Sequence, residues 1–567
     1  MKTYLAFAFL IFACSISFIN AQSAFPGAEG FGASATGGRG GKVIYVTNLE
    51  PDGPGSLQAA LNDPDPRYIL FKVSGVIPTT VEVPLGHGNF TLAGQTSPGG
   101  IITRGFQSYA ENSPSSGNFI VRHLRSRRGD LTKYPTPYWT GEDGITLGGV
   151  HKAIIDHCSF ANATDEEVDI SRSSSLTIQN CMLSETLGGH AYLGGMLINY
   201  SSNNNRLDSL SIHHNIWNRI GGRMPEISCE TQDCNGRHLK IELSNNLIWD
   251  QQIELWYEGV TGNANGNFYL DMNAVNNFSI ARPAYGNAMY HFDLLNFSQN
   301  NLYFSGNKLN LYPQYSDYQL FYCCNDFNQN NPNTDLGAAN LKTTAFNYPS
   351  ISYTPTNELL NKLRAVNGAF PRDSMDRRLF EPLFSGNITN VPIGDAAADD
   401  VYILDSAPEA PVDTDEDGMP DYWELAHGLQ SNVQDHNDLN LSVSITGTAG
   451  YTNLECYLNC LSDYLVNGSS SPACGINVIT NTFENSISEN ALLLYPNPAN
   501  NEVNIRMLKG QSIRKVEILD LLGNVLETQH YESSQVKLTI ANFVSGIYLM
   551  KITDEDNNTV VRKLSKN

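Results

Sequence analysis

Positive charge is scarce in this chain. Lys and Arg number 35 against 58 Asp and Glu, a net charge of −23 over 567 residues. Nucleic-acid binding needs dense Lys and Arg to displace counterions, so that class is excluded. A polyanionic partner of another kind would need metal ions to bridge like charges. Long apolar runs are absent after residue 21, which leaves no later segment to span a bilayer. Cysteine is sparse, at 10 residues, too few for a disulfide-built scaffold of this length. Cys229 and Cys234 are spaced to close a small loop. Cys456 and Cys460 fall four apart in an expected helix, a poor geometry for pairing, and are read as unpaired. Helical periodicity is missing between Leu61 and Leu243, and two-residue Asn-Gly hairpin signals are rare, which weighs against a bundle and against a hairpin sandwich.

What is present begins with an export signal. Lys2 supplies a positive start, Leu5 to Ile19 an apolar core and Asn20-Ala21-Gln22 a small-residue cleavage site, so residues 1–21 read as a signal peptide. The remaining length calls for several domains. A glycine-rich opening, Ala24 to Leu49, has no preceding strand and no closing Lys-Ser/Thr, so it reads as a surface turn rather than a phosphate loop. Ser56 caps a short helix over Leu57–Leu61.

Short β-branched runs then recur between Gly, Asn and Ser turns. Five of them share a tail: IVRHLRS, IIDHCSF, TIQNCML, SIHHNIW and ELSNNLIW. Aligning these tails puts His123, His157, Asn180, His214 and Asn245 in register, at steps of 34, 23, 34 and 31 residues. A step of that size suits one coil of a β-solenoid, with the longer steps carrying a loop. In such a stack the His and Asn residues form polar ladders at the corners, a structural role, while Cys158 and Cys181 stack inside.

Within the repeats, Asp143 to Asp169 concentrates acid: Asp143, Asp156, Asp165, Glu166, Glu167 and Asp169. Crowded carboxylates repel unless a cation lies among them, and hard divalent ions take oxygen ligands. Spacing alone leaves both readings open, an exposed acidic loop or a metal site.

The repeats give way to an Ala-, Asp- and Pro-rich linker over 396–412. Asp413, Asp415, Asp417, Asp421 and Glu424 then occupy positions 1, 3, 5, 9 and 12 of a twelve-residue loop with Gly418 at position 6, the EF-hand spacing for Ca²⁺. Helices follow at Tyr422–His427 and around Tyr451–Glu455. A Ser- and Asn-rich spacer over 467–488 precedes alternating strands at Val503–Ile505, Val516–Leu519, Val536–Ile540, Ile547–Ile552 and Val560–Leu564, read as a small β-sandwich over 489–567.

Three sections resemble known families. Residues 22–395 resemble the family 1 polysaccharide lyases, the pectate lyases, through Ala24-Phe-Pro-Gly-Ala-Glu-Gly30, Asn118-Phe-Ile-Val-Arg-His-Leu-Arg125, Ile155-Asp-His-Cys158 and His213-His-Asn215 leading to Arg223-Met-Pro225. Residues 413–466 are similar to thrombospondin-type-3-like calcium modules. The end, from Tyr495-Pro-Asn-Pro498 to Gly546-Ile-Tyr-Leu549, resembles type IX secretion sorting domains. The resemblance implies an all-β chain: a right-handed parallel β-helix, a small helical calcium module and a C-terminal β-sandwich. It implies a secreted or surface-held monomer that cleaves pectin or polygalacturonate and engages the type IX machinery. In that family Ca²⁺ is held by an Asp before a strand and by two Asp four residues apart on the next coil. Asp143 matches the first and Asp165 with Asp169 the pair, with Glu166 a supplementary ligand. The family's base is the Arg of an Arg-x-Pro word, here Arg223, with a substrate-carboxylate clamp as its alternative role. Arg219 is close enough to assist or rival it, and His190 stands in for a Lys the family often carries. Position 228 is Ser where the family word has a second Arg, and Glu226 adds negative charge. A β-helical polygalacturonase, using paired carboxylates and water, and a non-catalytic glycan-binding β-helix are the alternatives.

Overall fold

The computed structural model describes residues 22–111, 113, 116–129, 142–187, 194–229, 231–249, 269–281, 290–292, 299–323, 339–388, 400–468, 472–475, 492–507, 512–519, 525–555 and 559–566. The expected signal peptide, His190 and the turn at Gly523-Asn524 lie outside them. The described residues divide into two compact units, one up to Asn477 and one from Val478 onward.

The first unit is a parallel β-helix. Each coil lays one strand in an eleven-stranded sheet (sheet A), one in a nine-stranded sheet (sheet B) and, through most of the helix, one in a six-stranded sheet (sheet C), counted among the described residues. One coil shows the plan: His151–Asp156 in A, Ser159–Ala161 in B, Val168–Ser171 in C, then Ser174–Gln179 back in A. Every neighbouring pair in these three sheets is parallel, as in Ile155↔Ile178 and Ile178↔Ile212. Side chains alternate across each strand, so Ile145, Leu147, Val168, Ile170, Met196 and Ile198 of sheet C face a single core with Ile155, Ile178 and Ile212 of sheet A. The β-branched runs thus become short strands because neighbouring coils supply the ladder that no local hairpin provides.

The corner between sheets A and B explains the shared tail. His123, His157, Asn180, His214, Asn245 and Asn276 all sit at φ between 50 and 56°, the left-handed region in which Asn and His are enriched. Their role is to turn the chain. The polar ladder runs one position later: the Asn215 side-chain amide donates to Asn246 Oδ1 (3.1 Å), Asn246 to Asn277 (3.1 Å) and Asn277 to Asn307 (2.9 Å). The amide ladder thus runs one residue beyond the expected positions, while the His123 and His157 rings stack at the expected ones, 5.2 Å apart. Cys158 and Cys181 occupy the ladder column farther up, fully buried, as expected.

Three further expectations are corrected. The glycine-rich opening is a strap laid against sheet A. A Cβ on Gly32 would come within 2.1 Å of the Ala153 carbonyl oxygen, and one on Gly38 within 2.0 Å of that of Arg67, so these glycines let backbone lie on backbone. After sheet A's last described strand come two helices that the sequence reading did not foresee, Thr356–Val366 and Ser374–Ser385. They cover sheet B with Leu359, Leu363, Met375 and Leu379. Cys460 pairs with Cys474, their Cα atoms 5.5 Å apart. Cys456 stays free, as expected, and Cys229 joins Cys234.

Residues 413–468 belong to this first unit. The helix Asn453–Asn467 opens with a capping box between Thr452 and Glu455 and seats against the β-helix. Arg39 binds Glu455 (2.8 Å), and both Arg122 (2.9 Å) and His123 (2.8 Å) reach Ser462.

The second unit is antiparallel: Leu492–Tyr495, Glu502–Met507 and Gln535–Thr539 form one sheet, and Val525–Ser533, Ile513–Leu519, Gly546–Asp554 and Thr559–Lys566 the other. Val503, Ile505, Ile518, Leu538, Met550 and Ile552 share its core.

Candidate active site

Sheet C carries the acidic stretch. In register across four coils lie Thr146, Asp169, Leu197 and Glu226, all on the face turned away from the core. Asp143 sits just before the strand Ile145–Gly148, fixed by hydrogen bonds to its carboxylate from Thr146 Oγ1 (2.6 Å) and the Glu166 backbone N–H (3.3 Å). Asp165 and Glu166 come from the turn entering the next coil, and the Glu167 N–H is pinned to the Gly194 carbonyl at 2.8 Å. Carboxylate oxygens of Asp143, Asp165 and Glu166 all fall within 4.8 Å of one another. Asp169 lies outside that trio, half-buried beside it.

Crowding and burial raise the carboxylates of this cluster. Burial first, then repulsion from its neighbours, pushes Asp143 up to about 6 and holds Glu166 and Asp169 well above the carboxylate range. Asp169 Oδ1 and Glu167 Oε2 are buried without a hydrogen-bond partner, an arrangement that calls for an ion or a proton. An all-oxygen donor set with anionic members suits a hard divalent cation.

Arg223 faces this trio. Its Nη1 contacts Glu166 and lies 3.8 Å from Asp165 Oδ1, and its Nε binds Glu226 at 2.7 Å. Its backbone is left-handed, φ 50°, which costs energy for a residue with a Cβ. Burial alone would lower its guanidinium, but Glu166 and Glu226 more than reverse this and hold the proton. Ser228 is fully buried and adds no charge. Arg219 is placed differently. It pairs with buried Glu185, which also takes both Nη atoms of Arg378 at 2.9 Å, so Arg219 belongs to a network tying sheet B to the helix Ser374–Ser385.

The second acidic loop also gathers its carboxylates. Asp413, Asp415 and Asp417 form one trio, and Asp417, Glu424 and Asp435 a second that shares Asp417. Gly418, at φ 101°, donates its N–H to Asp413 Oδ2 (2.9 Å). Burial, followed by repulsion from Asp417, lifts Glu424 to about 8, and both its oxygens are buried without a hydrogen-bond partner. Asp421 is not among these oxygens: its carboxylate accepts from the Thr414 N–H (2.8 Å) and Oγ1 (2.7 Å) at the start of the helix Asp421–His427. Asp435, outside the twelve-residue spacing, takes a place that the sequence pattern could not assign.

Comparison with known proteins follows this geometry. A probable pectate lyase C of Aspergillus terreus is 30% identical over 451 residues, covering 78% of this chain and 95% of the relative. The chain belongs to the pectate lyase family. A probable pectate lyase C of Emericella nidulans is 28% identical over 458 residues, covering 77% of this chain and 92% of its own. A solved pectate lyase bound to a hexasaccharide is 16% identical at a TM-score of 0.37, covering 62% of this chain and 99% of that one. Residues 493–567 match the secretion system C-terminal sorting domain, which directs this lyase through type IX secretion to the cell surface or beyond.

Proposed function

We propose that this pectate lyase is calcium-dependent and cleaves α-1,4-linked polygalacturonate by β-elimination at the sheet C cluster. The observation that carries the reading is the meeting of Asp143, Asp165 and Glu166 with Arg223. With Asp169 and Glu226 the cluster holds five carboxylates, more than nearby Arg223, Arg128 and Arg172 offset, so a polyanion would be repelled unless a cation intervened. Positive charge supplied by Ca²⁺ held among these oxygens would offset the uronate carboxylate and make the neighbouring C5 proton more acidic.

Asp143, Asp165 and Glu166 are the residues that would hold the ion, with Asp169 supporting them from the adjoining strand. Arg223 is the proposed acceptor of the C5 proton: its Nε is ion-paired with Glu226 and its Nη end reaches the cluster. An arginine gives up its proton with difficulty, so this role needs the carboxylates that hold its charge to be engaged elsewhere. Loss of the C5 proton and cleavage of the C4–O bond leave a 4,5-unsaturated sugar, and no water is consumed. The ion pairing of Arg219 with Glu185 supports Arg223 over Arg219 as the base. Residues 413–466 are read as a structural Ca²⁺ module, residues 489–567 as the sorting domain, and residues 1–21 as the signal peptide.

The test is the ultraviolet absorbance of unsaturated oligogalacturonides released from polygalacturonate. Absorbance that rises with Ca²⁺ and vanishes in EGTA supports the proposal. Saturated products, or turnover that persists in EGTA, would overturn it.

A further inference from the structure

A third group of metal-ligating side chains lies on sheet A, away from both acidic clusters, and neither the lyase reaction nor the calcium loop uses it. Glu29, His213 and His214 each bring one ligand atom within 4.8 Å of the others. They come from separate parts of the fold. Glu29 belongs to the glycine-rich strap. His213 ends the sheet A strand Ser209–His213, and His214 occupies the left-handed corner at φ 54°. A third segment closes over them: Ser352 donates its N–H to Glu29 (3.0 Å), and Thr354 Oγ1 meets His214 Nε2 (3.1 Å).

The two imidazoles face each other through their Nδ1 atoms, 2.9 Å apart. Nitrogen ligands ~2.0–2.1 Å from Zn²⁺ stand ~2.9 Å apart at a right angle and ~3.3 Å apart at the tetrahedral angle. Both rings are buried. His213 Nε2 is buried without a well-formed hydrogen bond, whereas the facing Nδ1 pair and the Glu29 carboxylate, held by Ser352, would exchange hydrogen bonds for the ion. Glu29 is only half-buried, which gives an ion a way in.

We propose that Glu29, His213 and His214 bind a zinc-class transition ion that staples the N-terminal strap to sheet A. Mixed imidazole and carboxylate ligation selects Zn²⁺, Co²⁺ or Ni²⁺ over Ca²⁺, so the site is chemically separable from the two oxygen clusters. Its function is structural: one ion would tie together residues separated by the greater part of two hundred positions, just where the strap leaves Gln179 and Ser211.

The experiment uses the full chain without a polyhistidine tag, held in saturating Ca²⁺ so that the oxygen clusters are filled, and titrated with Co²⁺. Equilibrium dialysis gives the stoichiometry, and the visible absorption of cobalt reports imidazole ligation. One Co²⁺ per chain with such a spectrum is expected, displaced by Zn²⁺. Glu29→Gln and His213→Asn should each weaken it ~100-fold or more, since even outer partners of a metal ligand are worth ~10–100-fold. Glu29→Gln is near-isosteric and lies outside the lyase site, so retained lyase activity shows that it folds. Absence of a stoichiometric cobalt complex, or binding equal to wild type in the folded Glu29→Gln chain, would overturn the proposal and leave a hydrogen-bonded cluster only, with the lyase reading untouched.

Discussion

Asp413, Asp415 and Asp417 reach their cluster from one short loop, whereas Asp143, Asp165 and Glu166 come from successive coils and meet only when those coils stack. The surroundings differ as well. Among the described residues no arginine is ion-paired with the loop cluster, while the sheet C cluster has Arg223 against it. If both clusters take up Ca²⁺ as proposed, the loop holds its ion within one short segment, whereas the cross-coil cluster sets its ion beside an arginine.

The sharpest way to break this comparison is to remove the arginine. Arg223→Ala should lower kcat on polygalacturonate ~10²–10⁴-fold, the range for losing a positioned base, while the chain still melts at the wild-type temperature in Ca²⁺. Equal activity in the variant would erase the distinction between the clusters. Glu424→Ala should do the reverse. It should leave kcat in saturating Ca²⁺ within about twofold, as expected for sites that share no residue. It should also remove stabilisation by Ca²⁺ of the order of 2.7 kcal/mol at a hundredfold excess over Kd, read by calorimetry.

The pH dependence of the metal-free chain sharpens the same point. In the folded chain Glu424 binds its proton more tightly than its ordinary value of 4.5, up to about 8, and Asp417 up to about 6. Folding therefore favours the protonated forms. Their stability contribution is full below the ordinary values and is lost as pH rises through about 6 and then about 8. Melting in EGTA should show Tm falling over that window, and added Ca²⁺ should flatten the fall. Two smaller effects complete the series. Cys460→Ser should cost ~2–4 kcal/mol in denaturant melts, the usual range for closing a loop of this size. Lys72→Ala should cost ~0–1 kcal/mol, because its partner Glu416 is 70% exposed.

Much of this architecture was legible in the sequence. Steps of 23 to 34 residues between like tails announced stacked coils. The EF-hand loop was legible because its ligands are local. What escaped was non-local. Asp435 enters the loop cluster from beyond its spacing, and Cys460 finds Cys474 across a turn. The strap's glycines looked like a surface turn because only the stacked coils reveal the backbone they must touch. The amide ladder was misplaced by one residue because His and Asn recur at both corner positions, and only φ tells the turning residue from the bonding one. The helices Thr356–Val366 and Ser374–Ser385 fall where the repeats fade, and the second carries an internal Pro382 that masks its period.

A crystal structure of the Arg223→Ala variant with Ca²⁺ and a galacturonate oligomer tests the account most directly. The account predicts an ion ~2.3–2.6 Å from oxygens of Asp143, Asp165 and Glu166. That ion should also touch a sugar carboxylate, with the neighbouring C5 hydrogen facing the space the guanidinium left. A sugar lying elsewhere on the coils, or an ion that does not touch both protein and sugar, would contradict it.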